Sequence, residues 1–251
     1  AMEIMTHFGI SGVPVVDDGK LVGILTNRDI RFETNLGLTV ADRMTVDNLV
    51  TVNKGTTLEE AKSVLQKHKI EKLLVVDESG ALSGLITVKD ILKKENHPNA
   101  ATDQHGRLLV AAAVGVADDT IERSQALVNA HVDVLVVDTA HGHSQGVLDI
   151  VKKLKSVISN IEIIAGNVAT KEGSQALIES GVDSIKVGIG SGSSCTTRMI
   201  AGVGVPQLTA VQNAFEYAHK QDIPIISDGG MRYSGDIAKS FAAGAETVML
   251  G

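Results

Sequence analysis

The chain's single cysteine, Cys195, lies in Gly188-Ile-Gly-Ser-Gly-Ser-Ser-Cys-Thr-Thr-Arg198, a glycine-rich turn that follows an apolar run. Glycines accept positive φ and leave amides and carbonyls open, while a thiolate nucleophile needs an accessible, electropositive setting. A small buried hydrophobe is the other reading of a free thiol. Two further apolar runs end in carboxylates, Asp138 in Asp138-Thr-Ala-His-Gly-His143 and Asp228 in Asp228-Gly-Gly230. A carboxylate at a strand end can accept from both hydroxyls of a ribose. The amides of Gly229 and Gly230 beside it can approach a phosphate; a plain strand-to-helix turn with an Asp N-cap is the alternative. Ser193 offers a hydroxyl to a phosphate oxygen, and Val248-Met-Leu-Gly251 reads as a second phosphate-binding turn. His141 and His143 beside Asp138 make a thin metal-ligand set. Gly188-Ile-Gly-Ser-Gly192 fails as a dinucleotide fingerprint, because its third glycine comes too early and no helix opens at once.

The elements that must hold these residues alternate. Strand candidates cover 108–114, 134–138, 161–166, 184–188, 223–227 and 247–250, with helical stretches at 121–130, 146–157, 173–180, 209–221 and 234–242. Repeated strand–helix units with aliphatic strands predict a parallel α/β architecture. Polar or glycine residues finish nearly every strand, which favours a (β/α)₈ TIM barrel with its chemistry at the carboxyl ends. A doubly wound sheet also binds ligands there and stays open. About six units are visible, so the barrel is expected to be incomplete.

The first hundred residues follow a different pattern. Ile10-Ser-Gly-Val-Pro-Val-Val-Asp17 with Gly23-Ile-Leu-Thr26-Asn-Arg-Asp29 returns as Ile70-Glu-Lys-Leu-Leu-Val-Val-Asp77 with Gly84-Leu-Ile-Thr87-Val-Lys-Asp90. Each copy reads as strand, tight turn, strand and helix, with Thr26 and Thr87 at capping-box positions. Residues 57–68 form an amphipathic helix before the second copy. This repeat resembles the CBS module, which works in pairs. The expected division is 1–35 for a partial first module, 36–96 for a second, 97–106 for a linker and 107–251 for a partial barrel. The resemblance implies an adenine or guanine nucleotide between the paired modules, with Thr26, Asp29, Thr87 and Asp90 at ribose-contacting positions. Helix capping alone would also explain those four residues.

Bulk properties narrow the function classes. A net charge of −7 argues against a nucleic-acid surface. One cysteine excludes an internal disulfide framework and suits a reducing cytoplasm. The longest apolar run, 108–116, is too short to span a bilayer.

Ser193-Ser-Cys-Thr-Thr-Arg198, Ala201-Gly-Val-Gly-Val-Pro-Gln207, Asp228-Gly-Gly-Met-Arg-Tyr-Ser-Gly-Asp236 and the Asp138 motif together resemble the inosine-5′-monophosphate (IMP) dehydrogenase family. The resemblance covers the whole chain and implies NAD⁺-dependent oxidation of IMP to xanthosine 5′-monophosphate (XMP), for guanine nucleotide synthesis. Cys195 would be the nucleophile and Thr197 its loop partner. Ser193, Asp228, Gly229, Gly230 and Gly251 would hold IMP, and Asp138, Gly188, Ile189 and Gly190 would line NAD. Carbonyls of Gly190, Gly192 and Cys195 would bind potassium. A homotetramer is implied, with octamers formed through CBS modules. The family's hydrolytic flap is expected beyond residue 251, so the chain is expected to be truncated at both ends and inactive alone. GMP reductase, which shares the cysteine loop, and a non-catalytic CBS nucleotide sensor are the alternatives.

Overall fold

The computed structural model describes every residue except Leu36 and His105. It divides into two compact units, Ala1–Ala100 and Ala101–Gly251, each with its own core.

The first unit contains α1 (Met2–His7), β1 (Gly12–Asp17), β2 (Lys20–Thr26), α2 (Asn27–Ile30), β3 (Thr51–Asn53), α3 (Leu58–His68), β4 (Lys72–Val76), β5 (Leu82–Thr87) and α4 (Val88–Asn96). The sequence repeat is a structural repeat down to its irregularities. β1–β2 and β4–β5 are antiparallel hairpins, and each slips register at the same place, between Val15 and Val16 and between Val75 and Val76. The first hairpin turns through Asp18 and Gly19, both at positive φ, as the right-handed twist of the strands requires. In each copy a threonine, Thr26 or Thr87, and an aspartate three residues on, Asp29 or Asp90, close a capping box at the following helix. Ala61, Leu65, Leu73 and Ile91 form the core beneath β3, β4 and β5.

The second unit runs β6 (Ala111–Val114), α5 (Thr120–Asn129), β7 (Val134–Asp138), α6 (Gln145–Val157), β8 (Glu162–Val168), α7 (Lys171–Glu179), β9 (Ser184–Val187), α8 (Thr197–Ile200), α9 (Gln207–Ala218), β10 (Ile225–Asp228), α10 (Ser234–Ala242) and β11 (Thr247–Met249). The six strands pair in strict chain order from β6 to β11, and every pair is parallel. A doubly wound sheet reverses its order at a switch point. No reversal occurs here, so the unit is a six-stranded parallel half-barrel. Strand β6 starts at Ala111 rather than at 108; Leu108, Leu109 and Val110 are at least half exposed and precede the ladder. Helix α8 was not legible in the sequence, being a single turn directly after Cys195.

An acid fastens every second strand at its amino end. Asp133, Asp183 and Glu246 stand just before β7, β9 and β11, and accept the backbone N–H of Val110, immediately before β6, of Ile163 on β8 and of Ile225 on β10 at 2.8, 2.7 and 2.6 Å. Two residues earlier the chain turns through positive φ, at His131, Gly181 and Gly244. An apolar residue lies between turn and acid: Val132, Val182 or Ala245. Turn, apolar plug and acid thus form a repeated device that sets each strand's start against its neighbour.

Candidate active site

The carboxyl ends of β7 to β10 converge on a buried cation. Lys186 projects from β9 with only 5% of its side chain exposed, and its Nζ lies 2.5 Å from Asp228 Oδ2 and 3.1 Å from Asp138 Oδ1. A buried ammonium persists only with such partners. Asn167, on β8, donates through Nδ2 to the same Asp228 Oδ2 at 2.9 Å and to the Gly188 carbonyl at 2.7 Å. Two protein donors therefore occupy Asp228 Oδ2, and Oδ1 is the oxygen left for a ligand. Asn167 Oδ1 is buried and has no partner among the described residues. The loop after β7 fixes this asparagine: Asn167 N–H donates to the Thr139 carbonyl at 2.8 Å, and Gly142 N–H to the Asn167 carbonyl at 2.8 Å.

The glycine turn packs against the end of β10 too closely for side chains. A Cβ on Gly188 would stand 2.0 Å from the Asp228 carbonyl oxygen, and one on Gly229 would stand 2.7 Å from Ser191 Oγ and 3.0 Å from Gly192 N. Gly192 in turn accepts Cys195 N–H at 3.1 Å, so the cysteine hangs from a turn pressed on the strand that ends in Asp228. Cys195 is half-exposed, which removes the core reading of the thiol. Its Sγ lies 3.2 Å from Thr197 Oγ1. Hydrogen bonds from the Thr197 hydroxyl and backbone N–H hold the thiol below its ordinary value, and the nearby Arg198 charge adds to this.

Asp138, Gly188, Ile189, Gly190, Gly192, Cys195, Thr197, Asp228, Gly229 and Gly230 all lie at or just beyond the carboxyl ends of β7, β9 and β10. Ser193 and Gly251 are exposed, on the cysteine loop and after β11. His141 and His143 have ring centroids 6.4 Å apart, and among the described residues no cluster of three or more His, Cys, Asp or Glu side chains could hold a metal. No helix is long and apolar enough to cross a membrane.

Three residues of the cluster were missed: Lys186, Asn167 and Gln207. For Lys186 a signal existed, a lone charge inside the apolar run Ser184-Ile-Lys-Val187. Asn167 and Gln207 carried none, because their side-chain partners lie 16 to 61 residues away.

In the first unit, the Thr26 hydroxyl donates to Asp29 Oδ2 at 2.7 Å and the Thr87 hydroxyl to Asp90 Oδ2 at 2.6 Å. A cavity of about 400 Å³ is lined by Thr26, Asp29, Arg28, Arg31 and Lys72, but by neither Thr87 nor Asp90. A second cavity, of about 470 Å³, lies at the amino ends of the half-barrel beside His131 and Asp133, away from the carboxyl-end cluster.

A sequentially wound parallel half-barrel, with a thiol and paired carboxylates at the carboxyl ends of its strands, has the layout of a TIM-barrel fold, in which sites gather at that end. The IMP dehydrogenase / GMP reductase domain matches residues 38–251, and the CBS domain matches residues 1–34. The chain belongs to the IMP dehydrogenase / GMP reductase family. It is similar over its full length to the inosine-5′-monophosphate dehydrogenases of Aquifex aeolicus, at 57% identity, and Halalkalibacterium halodurans, at 59%. It spans 52% of the length of each, about half of these relatives. Among solved structures it resembles GMP reductase from Trypanosoma brucei in complex with guanosine 5′-triphosphate. That likeness has a TM-score of 0.79 at 44% identity, covering 97% of this chain and 59% of the other.

Proposed function

We propose that the chain carries the nucleotide-oxidising site of an IMP dehydrogenase. The observation that carries this reading is a cysteine of lowered pKa on a turn pressed against Asp228, whose own carboxylate is half-occupied by Lys186 and Asn167. Cys195, as thiolate, adds to C2 of the purine ring of IMP. C2 would then lose its hydrogen as hydride, for which the nicotinamide of a bound NAD⁺ would be the acceptor. Water cleaves the resulting C2–S thioimidate, releasing XMP and restoring the thiol; covalent capture divides one difficult substitution into two steps. Thr197 favours the thiolate form of the sulfur through its hydroxyl and backbone N–H. Asp228 Oδ1 accepts from the ribose hydroxyls, while Ser193, Gly229, Gly230 and Gly251 surround the phosphate.

The residues present suit NAD. The orphaned Asn167 Oδ1 is an acceptor awaiting a donor, and Asp138, with Gly188, Ile189 and Gly190, forms the neighbouring wall. The carbonyls of Gly190, Gly192 and Cys195 would hold potassium; Gly192 O already accepts one N–H, which leaves a lone pair. Residues 36–96 are read as a second CBS module, 97–106 as the linker and 107–251 as the catalytic part. The protein would work in the cytoplasm as a homotetramer, or an octamer paired through CBS modules. GMP reductase is the second reading, favoured by the solved relatives, but the curated dehydrogenases are closer, at 56–59% identity. In the first unit, Thr26 and Asp29 with the cations Arg28, Arg31 and Lys72 would take a nucleotide. Thr87 and Asp90 are then helix caps.

Intact-mass analysis after incubation with IMP and NAD⁺ tests the catalytic reading. An adduct mapped to Cys195, and slower alkylation of Cys195 by iodoacetamide when IMP is present, are expected. Equal alkylation with and without IMP, and no adduct, would overturn it.

A further inference from the structure

The cysteine loop needs an anchor, because its own hydrogen bonds do not reach the sheet. Among the described residues, the backbone bonds of 192–204 stay within that segment: Cys195 N–H to Gly192 O, Met199 and Ile200 N–H to Thr196 O, and Ala201 N–H to Thr197 O. Two bonds close its neck. Val205 N–H donates to the Ile189 carbonyl at 3.0 Å, and the Ser191 hydroxyl donates to Gln207 Oε1 at 2.7 Å.

Gln207 opens α9 and uses its whole amide. Nε2 donates to the Val187 carbonyl, at the end of β9, at 2.8 Å and to Ser227 Oγ, on β10, at 2.9 Å. A carbonyl can only accept, so Val187 fixes which end of the amide faces the strand. The oxygen is thereby turned toward Ser191, whose Oγ also lies 3.3 Å from the Asp228 carbonyl oxygen. One planar head thus joins two strand ends to the root of the loop; asparagine carries the same amide but is one methylene shorter.

We infer that Gln207 is the positioning residue of the nucleophile: its amide closes the neck of the Cys195 loop and seats the loop's root against the strand ending in Asp228. The clasp follows from the contacts, and its meaning for catalysis rests on the nucleophile reading above.

Hydrogen exchange read by mass spectrometry on the nucleotide-free protein tests the clasp. Ser191→Ala removes one bond and is expected to speed exchange in 192–204 by about three- to tenfold. Strands β9 and β10 keep their wild-type rates in that variant. Gln207→Glu, which sets a carboxylate against the Val187 carbonyl, has a larger effect on the loop. The double variant Ser191→Ala/Gln207→Leu exchanges no faster in the loop than Gln207→Leu, because the two share one bond. Unchanged loop exchange in Ser191→Ala, multiplied effects in the double variant, or strands opening together with the loop would each overturn the inference. A second arm measures the IMP concentration that half-protects Cys195 from alkylation, which rises in Ser191→Ala. Wild-type protein that IMP does not protect counts against the nucleotide reading alone, and the exchange result still judges the clasp.

Discussion

The two ends of the half-barrel's strands use the same residue types in opposite ways. At the amino ends, Asp133, Asp183 and Glu246 each accept a backbone N–H at the start of the neighbouring strand, in a device repeated three times with a positive-φ turn before it. At the carboxyl ends, Asp138 and Asp228 are held by a side-chain cation, Lys186, and Asp228 also by an amide, Asn167, 61 residues away in sequence. The amino-end acids spend their charge on register. The carboxyl-end acids are fixed but keep oxygens for a ligand, and around them the turn is glycine because no side chain fits. Barrel enzymes divide stability from chemistry along this axis, and here the division is visible in what each carboxylate touches.

The sharpest test of the contrast is Lys186→Met. Removing a buried cation leaves two facing carboxylates uncompensated, and breaking such a pair costs about 3–5 kcal/mol. Asp138 is nearly half exposed, so the lower end of that range is expected, as a lowered denaturant midpoint for the second unit. Lys186→Met/Asp228→Asn should recover part of the loss, because the repulsion falls. If Lys186→Met unfolds no more easily than wild type, the carboxyl-end cluster is not an ion-paired unit.

Asp183→Asn probes the other end. Burial pushes the Asp183 carboxyl up, but the Lys155 ammonium and the Ile163 N–H outweigh it and hold the group below the ordinary carboxylate range. A depressed folded-state pKa stabilises above the unfolded value, and that stability is lost as pH falls through the folded one. Glu162 beside it shifts the opposite way, raised chiefly by its contact with Asp183. Asp183→Asn should cost about 1–3 kcal/mol near neutrality, since a charged acceptor is lost. The gap between variant and wild type should narrow in thermal melts as the pH drops below 4. A gap that stays constant with pH would mean that Asp183 acts through packing alone. Glu246→Gln, like Asp183→Asn, keeps an amide acceptor, but it breaks no ion pair comparable to Lys155–Asp183 and should cost less, about 1 kcal/mol.

What the sequence made legible follows the same line. Local devices could be read directly: the two hairpins, the threonine–aspartate caps, the alternation of strands and helices and the cysteine turn are all set within a few residues. The amino-end acids were equally local, since turn, plug and acid recur before β7, β9 and β11, but the pattern emerges only when the three strands are aligned on their starts. Carboxyl-end partnerships are non-local. Nothing in Gly166-Asn-Val168 indicates that the asparagine meets Asp228, and nothing in Val205-Pro-Gln207 shows that the glutamine meets Ser191. Ser193 and Gly251, read from the sequence as phosphate contacts, both stand exposed without a contact that assigns them.

The smallest effect on stability should come with the clearest effect on chemistry. Thr197→Val removes the hydroxyl 3.2 Å from Cys195 Sγ, on an exposed loop where no strand depends on it. Its melting temperature should match wild type within a degree or two. The hydroxyl is the first cause of the lowered thiol pKa, while the Thr197 backbone N–H and Arg198 remain in the variant. The pH midpoint of iodoacetamide alkylation should therefore move up toward an ordinary thiol without reaching it. Asp183→Asn should do the reverse, lowering the melting temperature and leaving that midpoint in place. Should Thr197→Val melt early, or Asp183→Asn shift the thiol, the two strand ends are coupled and the division between register and chemistry fails.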